Sequence, residues 1–335
     1  MKSDNNQPIL CSWNTTQECN LKCVHCYRDA GDKKYNELTT EQGKSLLDEI
    51  KKAGFKIMVF SGGEPLLRKD IFELTEYASS IGLRPVFGTN GTLIDREMAL
   101  RLKASGAARI SISLDSLNQM QHDKFRGVEG AWSRAVEAMK ILKDIGLSFQ
   151  INTTVTRRNI DEILDITDFA VEIGADAHHI FFLVPTGRAV DIEIESLNAR
   201  DYEDLLKKIL LKSKTVNIEL KPTCAPQYMR IAKTLGIETR FTKGCLAGTG
   251  YCSITPEGDI WPCPYMPIKV GNVKTEKFSE IWRDATLFKE LREGNLKGSC
   301  GKCGFNEICG GCRARALFYN GDYLGEEPWC LMRKQ

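Results

Sequence analysis

Six short apolar runs rich in β-branched residues, separated by amphipathic stretches, constrain this chain most. They fall at 9–16, 56–62, 84–90, 108–115, 149–155 and 177–185. Such near-continuous hydrophobicity suits strands of a parallel sheet covered on both faces. The helical stretches follow Leu38-Thr39-Thr40-Glu41 and Asp70, or begin near Asp95, Ala131, Asp161 and Asn198. Thr, Asp and Asn at these starts can accept from the first free amides of a helix. Six βα units in a row mean a parallel sheet, either doubly wound or rolled into a barrel. Six units are two short of closure, so the expectation is an open α/β barrel. The texture changes near residue 240, where Gly and Pro multiply and long periodic runs stop. The organisation expected is a barrel over 1–220, a linker over 221–243 and a small cysteine-rich domain over 244–335.

A net charge of +2, with 42% hydrophobic and 27% charged residues, excludes a disordered chain. No stretch reaches the ~18 uncharged apolar residues of a membrane span. No basic block marks a nucleic-acid footprint, and the N-terminal residues lack the apolar run of a secretory signal. A soluble cytoplasmic protein is expected. Thirteen cysteines in a reducing compartment are not a disulfide framework, and their odd number argues the same way. That leaves metal binding.

Cys19, Cys23 and Cys26 stand as CNLKCVHC in the loop straight after the first strand. Three thiolates on one short loop can hold three irons of a [4Fe–4S] cube and leave the fourth open. A zinc site would need a fourth ligand; His25 is available, but its place directly before Cys26 makes joint chelation awkward. Further marks follow at strand ends: Gly62-Gly63-Glu64-Pro65, Thr89-Asn90-Gly91, Ser113-Leu114-Asp115 and Arg126 in HDKFRG. Together these resemble the radical S-adenosylmethionine (SAM) superfamily over essentially the whole chain. The resemblance implies a partial (β/α)6 TIM-like barrel and a cluster whose open iron is chelated by SAM. It also implies SAM contacts at His25, Gly62, Gly63, Glu64, Thr89, Asn90, Ser113 and Arg126. Glu64 would receive the methionine amine and Arg126 the SAM carboxylate.

Nine of the thirteen cysteines lie after residue 220. The run Cys245, Cys252, Cys263, Cys300, Cys303, Cys309, Cys312 and Cys330, with Gly258 five before Cys263, resembles the SPASM extension of radical SAM enzymes. Cys309 and Cys312 are separated by two residues where three is more usual. By the family's interleaved pairing, Cys245, Cys252, Cys263 and Cys312 would hold one auxiliary cluster, and Cys300, Cys303, Cys309 and Cys330 the other. Spacing alone does not separate a four-cysteine zinc site from an iron–sulfur site. Cys11 reads as a small buried residue of the first strand, and Cys224 has no evident partner.

The runs around Gly62, Thr89, Phe181 and Cys224, with GGCRARA and GDYLGEEPWC, resemble the branch of the superfamily acting on tetrapyrroles in heme and heme d1 biosynthesis. Within that branch the chain most resembles the type that decarboxylates two propionates of iron-coproporphyrin III to vinyl groups. Arg157, Arg158 and Arg188, after strands five and six, are candidates for the substrate carboxylates. His178 and His179 open strand six, the wrong end for an axial iron ligand, and are read as packing. Trp261, Tyr265 and Met266 could stack on a macrocycle or fill space around a cluster. The resemblance implies a low-potential electron donor such as ferredoxin or flavodoxin. Alternatives are a sister enzyme trimming siroheme side chains, a ribosomal-peptide-modifying enzyme, or a non-catalytic electron carrier or zinc scaffold. Only eight residues precede the first strand, which weighs against a peptide-binding domain there.

Overall fold

The protein is described here by a computed structural model covering residues 7–32 and 36–333. All six expected strands form: β1 Leu10–Asn14, β2 Ile57–Ser61, β3 Arg84–Thr89, β4 Arg109–Ser113, β5 Phe149–Val155 and β6 Ala177–Phe182. A seventh, β7 Glu219–Thr223, extends the six-unit expectation, and all seven lie parallel in sequence order. β7 is an edge strand carrying Pro222, tolerated there because one side of an edge makes no ladder bonds.

The cysteine-rich segment continues the same sheet on its other side. β8 Tyr251–Ile254 pairs parallel with β1, and β9 Asp259–Trp261 and β10 Gly271–Asn272 follow antiparallel. β1 therefore lies inside a ten-stranded sheet. Cys11, Ser12, Trp13 and Asn14 are all buried, and the Trp13 and Phe60 rings lie 6.3 Å apart. Gly43 makes room for this: a Cβ there would meet the Trp13 ring at 2.8 Å.

The helix starts follow the local chemistry. Thr39 and Gln42 form a reciprocal capping box, Asp95 accepts from Met98 N at 2.8 Å, and Asn198 accepts from Arg200 N and Asp201 N. Asp70 does not cap; its carboxylate takes Arg68 at 2.7 Å and the Thr40 hydroxyl at 2.7 Å. The stretch read as a linker carries the end of β7 and the helix Gln227–Thr234. A second core around Phe182, Tyr202, Leu206 and Tyr228 receives Trp329 from the chain's far end. Among the described residues no helix is long and apolar enough to cross a membrane.

Candidate active site

The C-terminal ends of the parallel strands converge on one mouth, the face where such barrels place their chemistry. Cys19, Cys23 and Cys26 sit there on the loop after β1. That loop is held from several sides: Cys19 N donates to Gly31 O, Lys22 N to Arg126 O and Val24 N to Phe125 O. Each sulfur has a donor nearby. Leu21 N lies 3.4 Å from Cys19 Sγ, Ala30 N 3.4 Å from Cys26 Sγ, and Arg126 Nη1 3.8 Å from Cys23 Sγ. Burial pushes the Cys19 thiol up to about 12, and Glu64, Cys23 and Cys26 add to the rise against the Leu21 amide. Bound iron supplies the positive charge that would ionise such thiols.

The Gly-Gly-Glu loop after β2 leans on the cysteine loop. Gly63 N donates to Thr16 O and Glu64 N to Glu18 O, each at 2.8 Å. A Cβ on Gly63 would lie 2.2 Å from Glu18 O, so only glycine allows this approach. The Glu64 side chain is fully buried. It accepts from Leu66 N at 3.2 Å, Thr89 Oγ1 at 2.7 Å and Asn90 N at 2.9 Å, tying β2 to β3. Among the described residues no cationic side chain pairs with it, and burial pushes its carboxyl up to about 7. A buried carboxylate without a cation is where an ammonium group fits.

Asn90 bonds to Asn20 of the cysteine loop at 2.9 Å, and Ser113 Oγ donates to Thr89 O at 3.3 Å. Arg126 is buried, and its Nε and Nη2 both lie 2.6 Å from Asp115 Oδ2. With its third nitrogen beside Cys23, it belongs to the wall of the cluster loop. Its partner Asp115 is also held by Thr154 N at 2.8 Å. His25 stacks flat on Phe125, centroids 4.1 Å apart, and burial pulls it down to about 3, so the ring is neutral.

The C-terminal cysteines form two groups. Cys300, Cys303, Cys309 and Cys330 line one cavity, the four expected to act together. These sulfurs surround a space; among the described residues no three His, Cys, Asp or Glu side chains form a group that could hold a single metal ion. Glu327 N donates to Cys300 Sγ at 3.3 Å, and Arg313 Nη2 lies 3.9 Å from it. In the second group Cys245, Cys263 and Cys312 come together, but Cys252 does not join them. It faces Cys11 across the β1–β8 pairing, with the sulfurs 3.7 Å apart and both residues fully buried. Cys224, the leftover of the sequence reading, lies beside Cys312 instead. Buried Arg315 pairs with buried Glu327 at 2.9 Å, and Glu327 also accepts from Cys312 N. One ion pair thus touches both groups.

The Radical SAM superfamily model matches residues 13–170, and SPASM, an iron–sulfur cluster-binding domain, matches 245–313. The chain is 45% identical over 343 residues to the AdoMet-dependent heme synthase of Methanosarcina barkeri, covering 98% of this chain and 97% of that one. The chain belongs to the radical SAM superfamily. The Fe-coproporphyrin III synthase of the same organism is 32% identical over 99% of this chain and 90% of its own. SuiB of Streptococcus suis, solved with S-adenosylmethionine bound, matches the fold with a TM-score of 0.76 at 20% identity, over 98% of this chain and 77% of SuiB. As a radical SAM enzyme with a SPASM domain, the protein uses a [4Fe–4S] cluster, SAM and auxiliary iron–sulfur clusters.

Around this radical SAM centre the arginines expected to meet substrate divide. Arg188 is occupied by the cluster loop: its Nε donates to Cys23 O at 3.0 Å, and its Nη1 to Asp29 and Ala30 O at 2.8 Å. It anchors the loop, which corrects its reading as a substrate cation. Arg158 is exposed and pairs with Glu195 at 2.9 Å, and exposed Arg157 donates from Nε to Ser196 O at 3.0 Å. His178 is buried, both ring nitrogens 2.9 Å from the Thr167 and Thr153 hydroxyls, and His179 meets Glu219 and Gln150, as packing residues do. Met266 is core, and Tyr265 packs against Tyr27 at 5.3 Å. Arg28 escaped the sequence reading. Its guanidinium lies 5.0 Å over the Trp261 ring, and its buried Nε has no partner among the described residues. Its place two residues after Cys26 was the available signal.

Proposed function

We propose that this protein is a heme synthase that oxidatively decarboxylates two propionates of iron-coproporphyrin III to vinyl groups. The observation that carries this reading is the near-half identity, along the full length of both chains, to the archaeal heme synthase. The contact between cluster loops supports it: Tyr27 and Arg28, beside Cys26, meet Tyr265 and Trp261, beside Cys263. A substrate held there lies near both the radical site and the first auxiliary site.

Each propionate anion gives up a hydrogen atom, carbon dioxide and one electron to become vinyl, so the reaction needs a hydrogen-atom acceptor and an electron acceptor. When bound, the [4Fe–4S] cluster and SAM would supply the acceptor for the hydrogen atom, and the auxiliary clusters an acceptor for the electron. The chain's residues orient and seal. Glu64 offers its buried charge to the SAM amine, while Gly62, Gly63, Thr89, Asn90 and Ser113 shape the cradle. His25 and Phe125 form a flat apolar wall, and the Asp115–Arg126 pair steadies Cys23. Arg28, with Arg157 and Arg158 at the rim, offers guanidinium groups to substrate carboxylates. A low-potential donor such as ferredoxin or flavodoxin, in the cytoplasm, completes the scheme.

The test is anaerobic reconstitution with iron and sulfide, followed by SAM, a reductant and iron-coproporphyrin III, with products read by mass spectrometry. Stepwise loss of two carboxyl groups with matching 5′-deoxyadenosine is expected. Deoxyadenosine without change in the porphyrin would overturn the substrate and direct the search to siroheme derivatives, then peptides.

A further inference from the structure

The two cysteines that the interleaved pattern treats differently have exchanged places in the fold. β8 alternates its side chains, as any strand does. Cys252 and Ile254 share the face in the hydrophobic core, both fully buried. Ser253 lies 3.1 Å from Ser12 Oγ, and the Tyr251 hydroxyl 2.7 Å from the same oxygen. The pairing of Cys252 with Cys11 is fixed by the parallel register of β8 on β1. Bringing its sulfur to the other face would require a one-residue slip of β8, setting Ile254 among the hydroxyls of buried Ser12 and of Tyr251 and turning Ser253 into the apolar core.

Cys224 leaves β7 at the mouth of the barrel. It is one of two non-glycine residues with positive φ among those described, at 57°. Cys224 and Cys263 both pack against the core cluster that contains Cys312. Gly244, next to Cys245, stands against Pro226, two residues past Cys224, where an added Cβ would meet the Pro226 Cα at 2.7 Å. Cys224, Cys245, Cys263 and Cys312 thus reach this region from four separate places in the chain: the end of β7, the segment before β8, the residues after β9 and the start of the helix Arg313–Asn320. Buried Arg315, three residues beyond Cys312, places a positive charge beside this group.

We propose that Cys224, Cys245, Cys263 and Cys312 hold the first auxiliary iron–sulfur cluster, and that Cys252 is a packing partner of Cys11 outside the ligand set. Thirteen cysteines then divide without remainder into three for the radical cluster, four for each auxiliary cluster and two for the core. The assignment has a structural consequence. Cys224 directly follows the last barrel strand, so the cluster ties the barrel to the C-terminal segment and sets how far it stands from the radical loop.

The experiment compares full-length Cys224→Ala and Cys252→Ala proteins after anaerobic reconstitution, by iron and acid-labile sulfide per chain and by Mössbauer spectroscopy. Cys224→Ala should lose up to about a third of the bound iron and sulfide, one cluster of three, or keep that cluster on three thiolates with one iron site altered in the Mössbauer spectrum, and Cys252→Ala should match wild type in both. The reverse pattern, or iron and spectrum both unchanged in Cys224→Ala, overturns the assignment. Should Cys224→Ala fail to fold, Cys224→Ser gives a second reading, because an oxygen ligand alters one cluster's spectrum and potential. An unchanged spectrum in Cys224→Ser also overturns it.

Discussion

Glu64→Gln separates charge from shape at the proposed SAM cradle. Burial holds the Glu64 carboxyl at about 7, with only the Leu66, Thr89 and Asn90 donors favouring its ionised form. SAM's ammonium favours that same form, so below pH 7 binding must first remove a proton. Each pH unit below 7 then weakens binding by about 1.4 kcal/mol, or about tenfold. Between pH 7 and 5 wild-type affinity should fall by roughly fiftyfold, since the carboxyl is already half protonated at pH 7. His25 and His122, lowered by burial to about 3 and about 4, stay neutral across this range and do not imitate the effect. The Glu64→Gln variant keeps the shape and loses the charge. Its affinity at pH 8 should be about 10- to 100-fold weaker, as for a lost charge-assisted bond, and nearly flat with pH. Folding stability carries the opposite sign. A carboxyl raised above its unfolded value favours the fold at low pH and destabilises it as pH rises from about 4.5 to about 7. Anaerobic titration calorimetry of the reconstituted enzyme at several pH values reads the affinities. A wild-type affinity unchanged between pH 5 and 8, or a glutamine variant that matches wild type throughout, would refute the reasoning.

Three further outcomes follow from the same geometry. Asp115→Asn strips buried Arg126 of its partner and should cost about 3–5 kcal/mol in denaturant unfolding, part of it recovered by adding Arg126→Met; a loss below about 1 kcal/mol would remove the pair from the scaffold. Arg188→Ala should release the cluster loop and lower iron retention at the radical site while the auxiliary iron stays, read by iron analysis and EPR. Unchanged iron with a higher KM for substrate would restore Arg188 as a substrate cation. His178, lowered by burial to about 3, keeps its neutral form in the fold, so its stabilisation is full above about 6.5 and lost as pH falls towards 3. At pH 5 wild type should have lost about 2 kcal/mol that His178→Gln does not lose, measured as the difference between their melting curves over pH.

Much of the scaffold was legible from the sequence because its signals are local. A β-branched run, a capping Thr39 or Asp95, and three thiols within eight residues are each decided by neighbours in the chain. The radical loop and the glycine loop were legible on the same ground. β7 was not, because Glu219–Thr223 carries a proline and polar side chains; its strand geometry comes from pairing with β6. Arg188 shows the limit for charged groups. An arginine after a barrel strand reads the same whether it faces substrate or a neighbouring loop, and only the 3.0 Å contact to Cys23 O distinguishes them.

The division is sharpest among the cysteines. Their number and the spacing of Cys19, Cys23 and Cys26 point to metal clusters, and the resemblance to radical SAM enzymes that they carry with the glycine loop implies an open iron for SAM. The sequence also determines the barrel, since each βα unit buries its own apolar face. Which distant thiols share a site is decided only in three dimensions. The register of β8 on β1 turns Cys252 into the core, and the end of β7 brings Cys224 beside Cys312. Spacing along a chain records order, whereas ligation depends on which sulfurs point into the same space.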